Sequence, residues 1–278
     1  MTIPTIDLAA PGGAVPIPAL GFGVWQVADD EAERAVAEAL RVGYRHVDTA
    51  KLYHNEVGTG RAVRDSGLAR EDVFVTTKVW PTDFGAEATP AAFEASMDRL
   101  GLDVLDLLLL HWPWPHEDRY LEAYAALLAL RATGRVRAVG VSNFAIPHLE
   151  RVHAELGEYP AINQIELHPY LQQRELRAFH REHGIVTEAW SPLASGQRVL
   201  TDPVVAQVAA KHSATPAQAI LAWHLAIGNV VIPKSVTPSR IAENFRAAEL
   251  TLDSADIEAF EALDQGFRTG PDPEAFEG

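Results

Sequence analysis

The feature that most limits how this chain can fold is an unbroken alternation. Eight short apolar runs recur, at Leu20–Trp25, Tyr44–Asp48, Val73–Val79, Leu105–Leu110, Val136–Val141, Ile162–Ile165, Ile185–Ala189 and Val230–Ile232, and each is followed by a stretch with helical spacing. The spacing predicts helices over 30–41, 56–65, 90–100, 119–133, 147–156, 174–183, 204–211 with 216–227, and 238–247. Strands joined only through helices run parallel, and a run as continuously apolar as Leu105–Leu110 is buried on both faces. Eight such units in 278 residues predict a closed (β/α)8 barrel, with residues 1–278 forming one domain. The competing open, doubly wound sheet would carry a Gly-x-Gly-x-x-Gly turn after a strand. Gly21-Phe22-Gly23 continues to Gln26, and Gly58-Thr59-Gly60 falls inside a predicted helix, so neither supplies that turn.

In such a barrel, the side chains that do chemistry sit where strands end, all at one mouth. Reading only those positions gives Asp48, Lys78, His111, Ser142-Asn143, Gln164 with Glu166, Trp190-Ser191 and Lys234-Ser235. Taken singly, each has an ordinary structural reading: Asp48 as a turn cap, Tyr53 five residues on as a packing residue, Lys78 as a surface lysine, His111 as a hydrogen-bonded core histidine. Their convergence on one mouth is what gives them chemical meaning.

Composition bounds what that mouth can meet. A formal charge of −15 repels nucleic acid and anionic membranes, so neither is an expected partner, and an anionic ligand would need local cations. The absence of cysteine removes disulfides and thiolate metal sites and suits a reducing cytoplasm. No apolar run approaches the ~20 residues of a membrane span, and Met1-Thr2-Ile3-Pro4 opens neither a basic nor an apolar leader. The expectation is a cytoplasmic monomer, since no dedicated dimer seam is evident. A metal-dependent hydrolase would need more ligands than His111 and His168 provide at the rim, so no metal is expected.

A phenol with a pKa of about 10 is a poor acid at neutral pH unless an ammonium stabilises its phenolate. Lys78 can supply that charge to Tyr53, Asp48 can hold Lys78 protonated and in place, and His111 can donate a hydrogen bond to a carbonyl oxygen. Together the four would protonate an alkoxide, and the simplest source of an alkoxide without a metal or thiol is a hydride donor. Gln164, Asn143 and Ser142 offer groups to grip a nicotinamide carboxamide, and Trp190 offers a face to stack on. Lys234, Ser235 and Arg240 surround the start of the helix after the eighth strand, where phosphates bind in barrels; two cations there favour a 2′-phosphate, hence NADPH over NADH.

The chain also resembles the aldo-keto reductases. The resemblance is carried by Gly43-Tyr44-Arg45-His46-Val47-Asp48-Thr49-Ala50 with Tyr53 and Asn55-Glu56, Thr76-Thr77-Lys78-Val79-Trp80, Leu109-Leu110-His111-Trp112-Pro113, Gly140-Val141-Ser142-Asn143-Phe144, Asn163-Gln164-Ile165-Glu166-Leu167-His168-Pro169, and Ile232-Pro233-Lys234-Ser235. The short loops and Arg268-Thr269-Gly270-Pro271-Asp272-Pro273 are similar to the bacterial branch that includes 2,5-diketo-D-gluconic acid reductases. The resemblance implies a (β/α)8 TIM barrel with a short N-terminal β-hairpin and a C-terminal helix and tail over the barrel. It implies NADPH-dependent reduction of aldehydes or ketones, dicarbonyls and keto-sugar acids among them, with a catalytic tetrad of Asp48, Tyr53, Lys78 and His111. It also implies cofactor contacts at Ser142, Asn143, Gln164, Trp190, Ser191, Leu193, Lys234, Ser235, Val236, Arg240, Glu243 and Asn244, and a small-molecule carbonyl pocket lined by Trp25, Trp80, Trp112 and Trp114. A slow NADP(H)-binding sensor on the same barrel is the alternative reading. Lys51 and His54 depart from the small residue and glycine usual around the tyrosine; Lys51 would either draw acidic substrates or sit solvated on the rim.

Overall fold

The computed structural model describes residues 3–196 and 198–277; Met1, Thr2, Gln197 and Gly278, which include the start of the leader reading and the end of the tail, lie outside them. The chain opens with an antiparallel hairpin, β1 (Thr5–Leu8) and β2 (Val15–Pro18). There follow β3 (Phe22–Gly23), α1 (Asp29–Val42), β4 (His46–Asp48), α2 (Glu56–Asp65), β5 (Phe74–Val79), α3 (Ala88–Leu100), β6 (Leu105–Leu110) and α4 (Tyr120–Ala132). The second half runs β7 (Val136–Ser142), α5 (Ile146–Leu156), β8 (Ile162–Glu166), α6 (Arg174–Glu182), β9 (Val186–Trp190), α7 (Pro203–Lys211), α8 (Pro216–Ala226), β10 (Val230–Val231), α9 (Pro238–Phe245) and α10 (Ser254–Glu261).

Strands β3 to β10 pair in chain order, all parallel. Parallel bridges from Leu20 to Val231 and from Gly23 to Lys234 bring the last strand back to the first, so the sheet closes into the expected (β/α)8 barrel. The first strand is shorter than the 20–25 run suggests. Its backbone serves the closure, with Gly21 N donating to Val231 O and Gly23 N to Pro233 O, and the chain then turns at Gln26, whose φ is 56°.

The four-leucine run in β6 shows how period-two alternation divides two cores. Leu108 and Leu110 join the layer between sheet and helices, while Leu107 and Leu109 point into the barrel. The inner set also contains Phe74, Ala138, Ile162, Val186 and Val230, and Leu8, Val15 and Ile17 of the hairpin pack on it. The hairpin therefore plugs the barrel floor, and the end where the strands finish is left as the opening. In the outer layer, α1 shows its logic plainly: Ala32, Ala35, Val36, Ala39 and Leu40 form one buried stripe, and Gly43 ends the helix. Gly58 and Gly60 are packing residues of α2, since a Cβ on either would come within 2.1 Å of the Asp29 or Leu100 carbonyl oxygen. That agrees with reading them as helical and not as a phosphate loop.

Candidate active site

Asp48 ends β4 and Lys78 lies one residue before the end of β5. Both are buried, and Lys78 Nζ donates to Asp48 Oδ1 at 2.6 Å and to the Thr49 carbonyl at 3.0 Å. Tyr53 arrives from a 3-10 turn over Lys51–Tyr53, which Asn55 holds in place. The Asn55 amide donates to the Val24 and Val27 carbonyls at 2.8 and 2.9 Å and accepts from Thr49 Oγ1 at 2.7 Å. This puts the Tyr53 hydroxyl 3.5 Å from Lys78 Nζ and 3.5 Å from His111 Nε2. Such spacing is longer than a fully made hydrogen bond, as is common in sites that tighten around a ligand. His111 sits edge-on between the Tyr53 and Trp80 rings, at centroid distances of 5.6 and 5.1 Å. All four residues expected at the mouth are thus within one cluster.

The electrostatics refine the expectation in one respect. Burial pushes the Tyr53 phenol up to about 12; the Lys78 charge opposes this without overcoming it. The phenol is therefore fully protonated at neutral pH, and Lys78 limits its loss of acidity but does not create a net gain. Burial favours a neutral Lys78, yet its neighbours, the ionised Asp48 first among them, outweigh it, so the ammonium is held charged. Burial, and then the Lys78 charge, drive His111 well below the usual histidine range, so the ring is neutral. Its Nδ1 has no partner among the described residues, and the tautomer with its proton on Nε2 aims an N–H at the mouth beside Tyr53.

The amide-bearing residues lie in one layer because register pairs Ser142 with Gln164 and Gln164 with Glu188. Gln164 Nε2 donates to Asp48 Oδ2 at 2.9 Å and to Glu188 Oε2 at 2.8 Å. Ser142 Oγ donates to the Gln164 carbonyl, Asn143 Nδ2 donates to the His111 carbonyl and Ser142 Oγ, and Trp190 Nε1 donates to Asn143 Oδ1. Most donors of this layer are thus already used, and Gln164 Oε1 is an acceptor that no donor reaches among the described residues. Ser191 turns at φ 50° with its hydroxyl 3.2 Å from that of Ser195, and Leu193 packs on the outer core.

Beyond β10, which pairs with β9, Lys234, Val236 and Arg240 are exposed and Ser235 is half-buried around the start of α9. Of the chain's four lysines, Lys51, Lys78 and Lys211 are ion-paired, whereas neither Lys234 nor Arg240 has a carboxylate partner among the described residues. Glu243 accepts from Thr215 Oγ1 at 2.8 Å, and Asn244 is buried on the same helix. A dinucleotide needs an amide-reading end and a phosphate-reading end. One open amide acceptor and two unpaired cations fit it.

Two of the four tryptophans meet through the C-terminal tail. Trp80 and Trp112 gather around Phe276 of the tail, which stacks on Trp112 at 4.4 Å and meets Trp80 edge-on at 5.8 Å. Trp25 is 46% exposed, and Trp114 is half-buried in a loop at φ 44°, with neither in a ring contact among the described residues. Lys51 pairs with Asp83, so it is not the free cation that could recruit acidic substrates; His54 is exposed at φ 55°, where the turn enters α2.

The roles of two carboxylates were not read from the sequence. Glu166, expected only as a strand-end residue, is an anchor for the tail: it accepts from Thr269 N at 2.6 Å, Thr269 Oγ1 at 2.5 Å, Gly270 N at 3.1 Å and His168 Nε2 at 3.2 Å. Burial works to raise the Glu166 carboxyl, but those hydrogen bonds outweigh it and hold it below the usual range. The second is Glu188, fully buried beside Asp48; its signal was a carboxylate in the middle of an apolar strand.

Residues 19–265 match the Aldo/keto reductase family. An aldo-keto reductase of Mycolicibacterium smegmatis is 52% identical over 260 residues, covering 94% of each chain. Methylglyoxal reductase DkgA of Salmonella typhimurium is 47% identical over 279 residues, covering 100% of both. A crystal structure of a Gox0644 mutant in complex with NADPH superposes with a TM-score of 0.93 at 44% identity, covering 99% of each chain. With its closed barrel and its match over most of its length, the chain belongs to the aldo/keto reductase family.

Proposed function

We propose that this protein reduces small aldehydes and ketones with NADPH, and that Tyr53 is the proton donor. The observation that carries this reading is the buried Lys78–Asp48 pair beneath the Tyr53 hydroxyl. Gln164, with Ser142, Asn143 and Trp190, would hold the nicotinamide end, and Lys234 and Arg240 the phosphate end. When bound, NADPH supplies the hydride that a carbonyl carbon takes up.

The remaining work falls to the chain. The His111 N–H orients the carbonyl oxygen and favours negative charge growing on it. Tyr53, protonated at neutral pH, passes its proton to that oxygen, and the Lys78 ammonium steadies the phenolate left behind. Asp48 keeps the ammonium charged and fixed. Trp80, Trp112 and Phe276 give the approach an apolar wall, which favours small substrates without charge at the reacting end.

The DkgA relative, described as a methylglyoxal reductase, points to short dicarbonyls as the first substrates to test. NADPH consumption should be measured with methylglyoxal, other dicarbonyls and keto-sugar acids. Turnover with at least one supports the reading, whereas NADPH binding without turnover on any of them would contradict it.

A further inference from the structure

Glu188 is a carboxylic acid placed in the middle of β9, with no exposed surface, beside the buried Asp48, which is already paired with Lys78. Its Oε2 accepts from Gln164 Nε2 at 2.8 Å, and the same nitrogen donates its second hydrogen to Asp48 Oδ2 at 2.9 Å. An amide nitrogen has two hydrogens, and both are committed. Turned over, the amide would set its oxygen 2.9 Å from the ionised Asp48 Oδ2, an acceptor facing an acceptor, which electrostatics forbids. The Gln164 group left facing the mouth is therefore its carbonyl oxygen.

The groups facing Glu188 can be counted strand by strand. β4 contributes Asp48 and His46, β5 contributes Lys78 and Thr76, β8 contributes Gln164, β10 contributes the apolar Val230, and the turn above contributes Tyr53. Lys78 is the one cation, and Asp48 sits directly on it at 2.6 Å. His46 is neutral, because burial drives it down to about 3. A second ionised carboxylate here would be uncompensated. Among the described residues Oε1 of Glu188 has no hydrogen-bond partner and lies 3.7 Å from His46 Nε2, which leaves it as the oxygen that carries a proton.

We propose that Glu188 is a positioning residue for cofactor recognition: as a protonated acid, it accepts one Gln164 amide hydrogen while Asp48 takes the other, so the site presents an acceptor to the carboxamide NH2 of nicotinamide. This rests on the reading that Gln164 meets that carboxamide. Burial and then the Asp48 charge push the Glu188 carboxyl up to about 8, in line with the charge count. Raised above its unfolded value near 4.5, such a group is uncharged in the fold up to about pH 8, and the fold loses stability as pH rises from the first value through the second.

The test combines NADPH titration by fluorescence with thermal unfolding of ligand-free protein from pH 5 to 9. Glu188→Gln keeps a neutral acceptor and should bind NADPH within about two-fold of the parent, while becoming progressively more stable than the parent as pH rises from 5 to 9. Glu188→Leu removes the acceptor and should weaken NADPH about 3- to 10-fold, the worth of one hydrogen bond. Combined with Gln164→Met it should add no further loss, which a purely structural role would not reproduce. Parent-like binding by Glu188→Leu would overturn the positioning role. Should Glu188→Leu not fold, NADPH affinity in Glu188→Gln decides it, and loss beyond about two-fold there overturns the acceptor. A constant stability gap between Glu188→Gln and the parent across that pH range would overturn the proton. Failure of the parent itself to bind NADPH would instead defeat the functional reading, and the ligand-free pH arm would still report on the proton.

Discussion

The floor of the mouth around Lys78 and its rim at the start of α9 are both polar, yet they are built on opposite principles. Around Lys78 the polar groups largely satisfy one another within the protein: Asp48, Gln164, Glu188 and the Thr49 carbonyl close a network from which water is excluded. Around α9, Lys234 and Arg240 stand exposed without carboxylate partners among the described residues, although the chain carries an excess of acids. Buried charges keep their geometry because losing a partner strands the other in a poor solvent, whereas exposed ones keep affinity for whatever anion arrives. The geometry around Lys78 is thus preassembled, whereas the rim cations are left open to an anion from outside.

This contrast can be broken most severely at the floor. Lys78→Met strands Asp48 in the interior and should lower the unfolding free energy by about 3–5 kcal/mol, besides abolishing turnover. Denaturant titration checks it, and a loss below about 1 kcal/mol would mean that the floor is no more interdependent than the rim. Acid sharpens the same point. His46, His180 and His224 are driven by burial to about 3, and His111 lies well below the usual range. Their folded values lie below the unfolded one, so the stability they confer is present above about pH 6.5 and is lost as pH falls toward 3. Glu188 takes up one proton in the opposite sense, leaving about three net protons bound on unfolding. Stability should therefore fall by about 4 kcal/mol per pH unit between pH 6 and 5, read from unfolding curves at each pH.

The smallest expected effect belongs to the rim. Arg240→Ala should leave the unfolding free energy within about 0.5 kcal/mol while weakening NADPH by about 10- to 100-fold, the loss of one charge-assisted contact. NADH affinity should not move. Equal losses for both dinucleotides would place Arg240 away from the 2′-phosphate.

The sequence made the barrel legible because alternation of short apolar runs with helical stretches has few other solutions, and the mouth legible because strand ends share one rim. Asp48, Lys78, His111 and Gln164 were therefore readable by position alone. What distance along the chain concealed were the contacts closed by the fold: Glu166 meeting Thr269 and Gly270, Phe276 capping Trp112, and Lys51 pairing with Asp83. The meeting of Trp80 and Trp112 over Phe276 was hidden for the same reason, since loop conformation decides which rings meet. The net rise of the Tyr53 phenol could not be foreseen either, because the degree of burial that produces it is a property of packing.

The central claim is that the Tyr53 hydroxyl, held beside a charged Lys78, delivers the proton while contributing little to cofactor binding. The most direct measurement is the turnover number of Tyr53→Phe with methylglyoxal at saturating NADPH, alongside its NADPH dissociation constant. A drop of about 10²- to 10⁴-fold in turnover with a dissociation constant within about two-fold is the predicted result. Turnover equal to that of the parent would contradict it.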